Sequence, residues 1–400
     1  MTTPAIAQAS IGALAPLKSA TPALAANRPD ALFVLSTFGI GGSERKIARL
    51  ANRLAEEGVY VMLACMNGPF TLEQVISRDV PIRKLDRRGK FSLAAVWRLR
   101  QILLRERPRT VLAVNLYQAL YVALARLFLP YRPRTVALVN TSTFGGSLFR
   151  RRVYQWVLSR FDLTVHGSQA QRRFWFKADC EAWQRSTVIY NGVDSDHFEL
   201  TGSFEAGKRL RASLGVKPES LLIGTVSMCR PEKNQEVLLT ALRRLRVARV
   251  DAHLVIAGDG PLLPRLRQRA AELEIADRVH FIGALPDVRP VLAALDVFVL
   301  PSIAVESFSN AALEAMSIGR PVILSDIGGA REMIADGVEG YVVSPTELAA
   351  RLPAIIAALY SDTRKRQQMG AAARARAVGC FSLAAMVAGY RGLLHDGEAQ

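Results

Sequence analysis

Short apolar runs alternate with longer amphipathic stretches along most of this chain. "ALFVLSTF" is one such run and "GIGGS" a loop. "ERKIARLANRLAEEG" then carries Ile47, Leu50, Ala51 and Leu54 at the spacing of one helix face. "VYVMLACM", "TVLAV", "TVALVN" and "DLTVHGS" extend the series, with helix-like sequence between them. From about residue 215 the pattern restarts with "LLIGTVSMC", "HLVIAGDG", "VHFIGAL", "VFVLPS", "PVILSD" and "GYVVSP". Runs apolar on both faces, alternating with helices, predict parallel sheets covered on both sides. Two series predict an α/β chain of two doubly wound, Rossmann-like domains. The expected division is a disordered tail over 1–28, an N-terminal domain over 29–198, a linker over 199–216 and a second domain over 217–380. Residues 381–400 form a terminal segment. Ligands of such sheets bind outside the carboxyl ends of the strands, so the expected site is a central cleft where the two domains face.

The length of 400 residues agrees with two or three domains. Half the residues are apolar, yet no apolar run reaches the roughly 18 needed to cross a bilayer. The opening "MTTPAIAQASIGALAPLKSATPALAANRPD" lacks a basic segment and a continuous apolar segment, and so does not read as a signal peptide. Cys65, Cys180, Cys229 and Cys380 lie far apart without a CxxC, which argues against zinc and disulfides and for a reducing cytosol.

Charge is uneven. Residues 1–200 carry 28 Lys+Arg against 14 Asp+Glu, while the remainder carries 24 against 21. The N-terminal excess concentrates at Arg83–Lys90, Trp97–Arg109 and Phe149–Arg160. The last two mix Trp, Phe and Leu with Arg at helical spacing, the composition of a surface that lies on anionic lipid. A helix packed on a sheet, with a solvated basic face, has the same composition. No nucleic-acid-binding module accompanies the charge.

Candidate chemistry sits at the strand ends. "FGIGGSE" places Gly41 and Gly42 before a helix, where backbone amides approach an anion and the helix adds its positive end. It is not a dinucleotide fingerprint, because the third glycine position holds Glu44. "SMCRPEKNQ" sets Arg230 and Lys233 at the mouth of a helix, a cationic pair suited to a diphosphate. In "VIAGDGP", Gly258 is a turn residue first and a cleft-lining residue second. "ESFSNAALE" puts Glu306 in a loop and Glu314 about one turn inside a helix capped by Ser309 or Asn310. Two carboxylates in such an apolar stretch are explained by a polar ligand between the domains, since burying unpaired charge costs several kcal/mol.

These motifs together resemble the GT-B-type retaining glycosyltransferases, glycosyltransferase family 4. The likeness runs through "GGSE", "VIYNGVDSDHF", "RPEKN", "VIAGDGP", "VHFIGAL" and "ESFSNAALEAMSIGRPVILSD". It implies GT-B architecture, with a UDP- or GDP-sugar held by the C-terminal domain and an acceptor by the N-terminal one. Glu306, Lys233 and Arg230 would be catalytic, with Glu306 on the donor sugar and the two cations on the diphosphate. Glu314 would bond the ribose, with the base near Gly283 to Leu285. Gly41, Gly42, Gly258, Phe308, Ser309, Asn310 and Ala311 complete the donor side. The last segment, "FSLAAMVAGYRGLL", would pack back on the N-terminal domain. Many relatives place the diphosphate arginine where Met228 stands, and a histidine where Asn140 and Thr141 stand. Asn140, Thr141 and His166 are the acceptor-side candidates, His166 as a cleft-wall residue before a catalytic base.

"DSD" at Asp194–Asp196 imitates a metal-binding pair but falls in a turn-rich hinge, so neither a metal nor a cofactor is expected. The expected activity is sugar transfer with retention, by front-side attack, to a lipid-linked or membrane-proximal glycan in polysaccharide or glycolipid biosynthesis. The expected location is the cytoplasm, peripheral at the membrane's cytoplasmic face. A sugar-nucleotide epimerase and a non-catalytic nucleotide-sugar-binding protein are the alternatives.

Overall fold

A computed structural model describes residues 28–39, 41–89, 91–141, 147–178 and 180–395. The expected tail therefore lies outside the described residues, apart from Arg28. The first domain opens with β1 (Ala31–Leu35), α1 (Gly42–Glu56) and β2 (Val61–Cys65). A 3-10 turn at Thr71–Val75 leads to β3 (Ile82–Lys84), α2 (Leu93–Glu106) and β4 (Thr110–Val114). Next come α3 (Leu116–Ala125), β5 (Arg134–Val139), α4 (Leu148–Leu158) and β6 (Leu163–His166). α5 (Gln169–Trp175), α6 (Glu181–Gln184) and β7 (Ser186–Val188) complete it.

The second domain begins with α7 (Leu200–Ser213), β8 (Leu221–Val226) and α8 (Glu236–Val247). β9 (Ala252–Ala257), α9 (Leu263–Glu272), β10 (Val279–Gly283) and α10 (Arg289–Ala294) follow. Then come β11 (Val297–Leu300), α11 (Asn310–Ser317), β12 (Val322–Ser325), α12 (Ala330–Met333) and β13 (Gly340–Val343). The chain closes with α13 (Leu348–Ser361), α14 (Thr363–Cys380) and α15 (Leu383–His395).

The sheets run β3-β2-β1-β4-β5-β6-β7 and β10-β9-β8-β11-β12-β13, and every strand pair in them is parallel. Each sheet has a buried apolar cluster on both faces, which is why β1, β2 and β4 contain no exposed position. Strand order reverses between β1 and β4, and again between β8 and β11. Those two reversals open the crevices where ligands of such sheets sit. The three-residue edge strands β3 and β7 escaped the sequence pattern because they are short and only partly buried.

The stretch expected as a linker is largely α7. Its charged residues hid an apolar face: Leu200, Leu210 and Leu214 pack against the second domain's core. Gly207 lets it press on α10, where an added Cβ would stand 2.8 Å from the Ala293 carbonyl carbon. Arg211 fastens it further, donating to Asp296 at 2.9 Å and to the Ser220 carbonyl at 2.7 Å.

The chain crosses between domains twice, and the crossings lie side by side. Val193 N donates to Phe381 O and Leu383 N donates to Val193 O, both at 2.8 Å. Beyond them α15 buries Leu383, Met386, Val387 and Tyr390 in the cluster that holds Phe33, Ile47 and Leu50 of the first domain. The terminal helix thus packs on the N-terminal domain. At Gly192 an added Cβ would lie 2.5 Å from Ser382 O and 2.8 Å from Leu383 Cα, both backbone atoms. Gly192→Val is therefore expected to cost about 1–3 kcal/mol of stability. Urea denaturation checks this, and an unchanged midpoint would show that the crossings yield without strain.

Candidate active site

The loop after β8 carries the "RPEKN" residues. Buried Gln235 fixes it, donating to Ser227 Oγ at 2.9 Å and to Met228 O at 2.8 Å. Gly258 and Gly260 adopt φ of +147° and +153°, and a Cβ on Gly258 would fall 1.9 Å from Ser227 O. Gly258 is thus required where two loop backbones touch, ahead of any contact with a ligand. From this platform the Lys233 ammonium reaches across to the Glu306 carboxylate, which also accepts from Ser302 Oγ at 3.1 Å. Arg230 starts the Pro231–Lys233 3-10 turn, is exposed, and makes no ion pair among the described residues.

Glu306 lies in a loop under tension. Val305 has φ +63°, a conformation that β-branched residues rarely adopt. The neighbouring backbone is pinned by Gly329 N, which donates to Ser307 O at 2.8 Å. Gly328, at φ +56°, permits the approach, since a Cβ there would lie 2.2 Å from Glu306 O.

Ser309 is the cap of α11, with Oγ accepting from Ala312 N at 3.2 Å. Asn310 instead donates through Nδ2 to Gly42 O at 3.0 Å, so the glycine loop of the first domain abuts the start of α11. Gly41 is the N-cap of α1 and Gly42 its first residue. Two positive helix ends meet there, a favourable setting for an anion. Ala311 packs partly against the second domain's core. Phe308 departs from expectation. Its side chain is 4 % exposed and packs with Tyr190 and Phe381 at ring distances of 4.9 and 5.1 Å. Its ring is part of the second domain's core, beside the site.

Glu314 is 7 % exposed on α11. Burial pushes its carboxyl above the ordinary value, while Arg49, and then Arg45, pull against that shift. Arg49 pairs with it at 3.2 Å from α1 of the other domain. One turn earlier, Arg45 donates to Leu285 O and Pro286 O at 3.4 and 3.3 Å. Gly283, with φ +75°, ends β10 and accepts from Gly258 N at 2.7 Å. Sequence reasoning missed Arg45 and Arg49. Their signal was a like-charged pair four residues apart on one helix face, a spacing that needs an outside counter-charge.

On the acceptor side, Asn140 follows β5 and accepts a hydrogen bond from Lys46 Nζ at 3.2 Å. Thr141 O accepts from Trp175 Nε1 at 2.8 Å. His166 is not in the cleft wall. It is fully buried within β6, 3.2 Å from Thr164 Oγ1 and edge-on to Phe176. Desolvation drives its pKa down to about 3, which suits a neutral core histidine. Asp194 Oδ1 accepts from His197 N at 3.2 Å and Oδ2 meets Arg53 at 3.5 Å, so the "DSD" begins as a turn cap. Among the described residues no three His, Cys, Asp or Glu side chains gather as a metal site would require.

Residues 207–376 match the glycosyl transferases group 1 model, and residues 40–197 match that of glycosyltransferase family 4. The chain belongs to the GT-B group 1 glycosyltransferases. It is 34% identical over 191 residues to the GDP-mannose-dependent alpha-(1-6)-phosphatidylinositol monomannoside mannosyltransferase of Mycolicibacterium smegmatis, covering 46% of this chain and 49% of that one. It is 31% identical to the lipopolysaccharide core biosynthesis mannosyltransferase of Rhizobium meliloti, over 45% of this chain and 52% of the relative. The chain thus spans about half the length of these curated relatives. In fold it is similar to Anabaena HepE, solved in complex with UDP-glucose, with TM-score 0.80 and 24% identity over 92% of this chain and 99% of that one.

In this group 1 glycosyltransferase, Arg49 is what offsets the charge on Glu314. A carboxyl raised above its ordinary 4.5 costs stability as pH rises through its folded value. Removing Arg49 raises that value further. Arg49→Met is therefore expected to match wild type closely at pH 5 and to fall about 1–2 kcal/mol behind it at pH 8. Urea unfolding at both pH values measures this, and an equal deficit at the two would contradict it.

Proposed function

We propose that this protein transfers a sugar from a UDP- or GDP-sugar to a hydroxyl of a lipid-linked or membrane-proximal glycan, with retention at the anomeric carbon and without a catalytic metal. The observation that carries this reading is that α11, which bears Glu314 and follows the loop of the Lys233–Glu306 pair, starts against the Gly41–Gly42 loop. Glu314 accepts from ribose hydroxyls and Glu306 from the donor sugar. Lys233, with Arg230 at the mouth of the same loop, meets the diphosphate, aided by the facing helix ends. As the anomeric C–O bond breaks, its electron pair passes to the diphosphate, where preorganised donors hold the growing charge. The acceptor oxygen bonds to the same face of that carbon, and its proton passes to the departing phosphate oxygen. Front-side attack needs no carboxylate nucleophile on the opposite face, unlike the double displacement of retaining glycosidases. The relatives support both nucleotide classes, since one is named for GDP-mannose and HepE was solved with UDP-glucose.

A membrane-proximal acceptor is supported by the outer surface of the first domain. On α2 and α4 the inward residues Leu99, Leu103, Val157 and Leu158 are buried. Yet Trp97, Phe149 and Trp156 are 61, 75 and 54 % exposed among arginines. Packing on the sheet accounts for the first set but not for the second. No helix among the described residues is long and apolar enough to cross a membrane.

Lys233→Ala is expected to lower turnover about a hundredfold or more with the fold intact. Glu306→Ala should mainly lower turnover, and Glu314→Gln should mainly weaken nucleotide binding. A nucleotide-sugar transfer assay on membrane extract tests all three, and the wild-type rate in it should survive EDTA. Near wild-type rates in every variant would refute the site, and a rate abolished by EDTA and restored by manganese would refute metal independence.

The second expectation is sedimentation with anionic but not neutral liposomes, weakened by salt and by changing Arg150, Arg151 and Arg152 to Ser. Equal, negligible binding to both liposome types would point to a soluble acceptor.

A further inference from the structure

Of the three cations in the first turns of α1, two face the second domain and one does not. Lys46 turns into its own domain and is 7 % exposed. Its ammonium has one hydrogen-bond partner among the described residues, Asn140 Oδ1 at 3.2 Å. An ammonium only donates, so this contact fixes the amide with its oxygen toward Lys46. Asn140 Nδ2 therefore points elsewhere, and it is buried with no partner among the described residues. The backbone N of Asn140 donates to Asn115 Oδ1 at 3.3 Å. Asn115 itself holds φ 78° and ψ 164°, a conformation otherwise left to glycine. It follows β4, at the reversal of strand order, where strain and ligands tend to coincide.

The donor inventory decides what such a place would hold. Two ammonium N–H groups and two amide N–H groups remain unused, while the one amide oxygen is taken. The complement is a group with lone pairs and negative charge and no proton to give. A carboxylate or a phosphate fits, whereas a neutral hydroxyl would satisfy only part of the set. Desolvation lowers the Lys46 pKa to about 8, and no carboxylate among the described residues offsets it. A methionine would fill the space without that cost, so packing does not account for a lysine. Position agrees as well. Lys46 is four residues beyond Gly42, about 6 Å along the helix from the contact with α11 on the donor side.

We propose that Lys46 and Asn140 form a binding site for an oxyanion of the acceptor, a sugar carboxylate or a phosphate, next to the site of transfer. The proposal rests on the transferase reading for the word acceptor, but the oxyanion site itself does not.

The test uses the full chain with lysine labelled with carbon-13 at Cε. Glucuronate and glycerol phosphate are titrated in, with glucose and glycerol as neutral controls. The Lys46 signal is assigned by its loss in Lys46→Met. Should that variant fail to fold, Lys46→Arg serves for assignment. The expected result is that one anionic probe shifts the Lys46 signal and neither control does. The responding probe tells a glycan carboxylate from a lipid phosphate. Lys46→Met and Asn140→Leu should each weaken that probe about tenfold or more, while melting near the wild-type temperature. Calorimetry with UDP- and GDP-sugars on wild type and Lys46→Met separates the two claims. Nucleotide-sugar binding with a Lys46 signal silent to both anions overturns this inference and leaves the transferase reading. An anion response without any nucleotide-sugar binding does the reverse.

Discussion

The arrangement of the cleft depends on the paired crossing of the chain. Val193 is bonded on both sides, to Phe381 and to Leu383, so the two connections between domains form one short ribbon. A second tie lies close by. Glu332 of α12 accepts from Gln169 N and Ala170 N at 2.7 Å each, and from Tyr190 Oη at 2.9 Å. A carboxylate of the second domain thereby caps a helix of the first, satisfying two amides that no helical carbonyl reaches. With these ties on one side, the carboxyl ends of both sheets are brought face to face. Glu314 and Asn310 of the second domain then find partners in the first, at Arg49 and Gly42.

That geometry explains which parts of the molecule were legible in the sequence. Strands such as β1 and β11 are buried on both faces, so their apolar runs announce them without any tertiary knowledge. The cap at Ser309 and the turn at Asp194 follow from side-chain chemistry within three residues. Local rules were enough for these. They failed for α7, whose charged residues looked like linker until α10 was there to receive its apolar face. His166 was misplaced for a related reason. A strand end next to a glycine reads as a loop, but β6 is paired through His166, and Phe176, at the end of α5, meets the ring edge-on.

Phe308 shows the limit of reading roles from a motif. It lies between Glu306 and Ser309, both at the candidate site, yet its ring is turned away to join Tyr190 and Phe381 near the crossing. In a regular strand residues two apart would share a face, but the backbone here bends, with Val305 at φ +63°, so a motif names a segment and leaves its sides undecided. The same segment holds the left-handed Val305. A strained backbone there is kept in place by Gly328 and Gly329 behind it, and the Glu306 carboxylate is thereby aimed at Lys233.

Helix α1 is where the two halves become one device. Arg45 and Arg49 are four residues apart, and like charges at that spacing destabilise an isolated helix by a few tenths of a kcal/mol. Each also lies beside the other's field, which lowers the Arg45 pKa in the same direction as its burial does. Among the described residues neither arginine forms an ion pair within the first domain. The second domain supplies the Glu314 carboxylate for Arg49 and the Leu285 and Pro286 carbonyls for Arg45. The polar face of α1 is therefore intelligible only with the second domain present, and Lys46 on its other side only with a ligand. A helix whose cost is met from two directions is well placed to register both sides of the cleft, because movement along its axis would disturb Glu314 and Asn140 together.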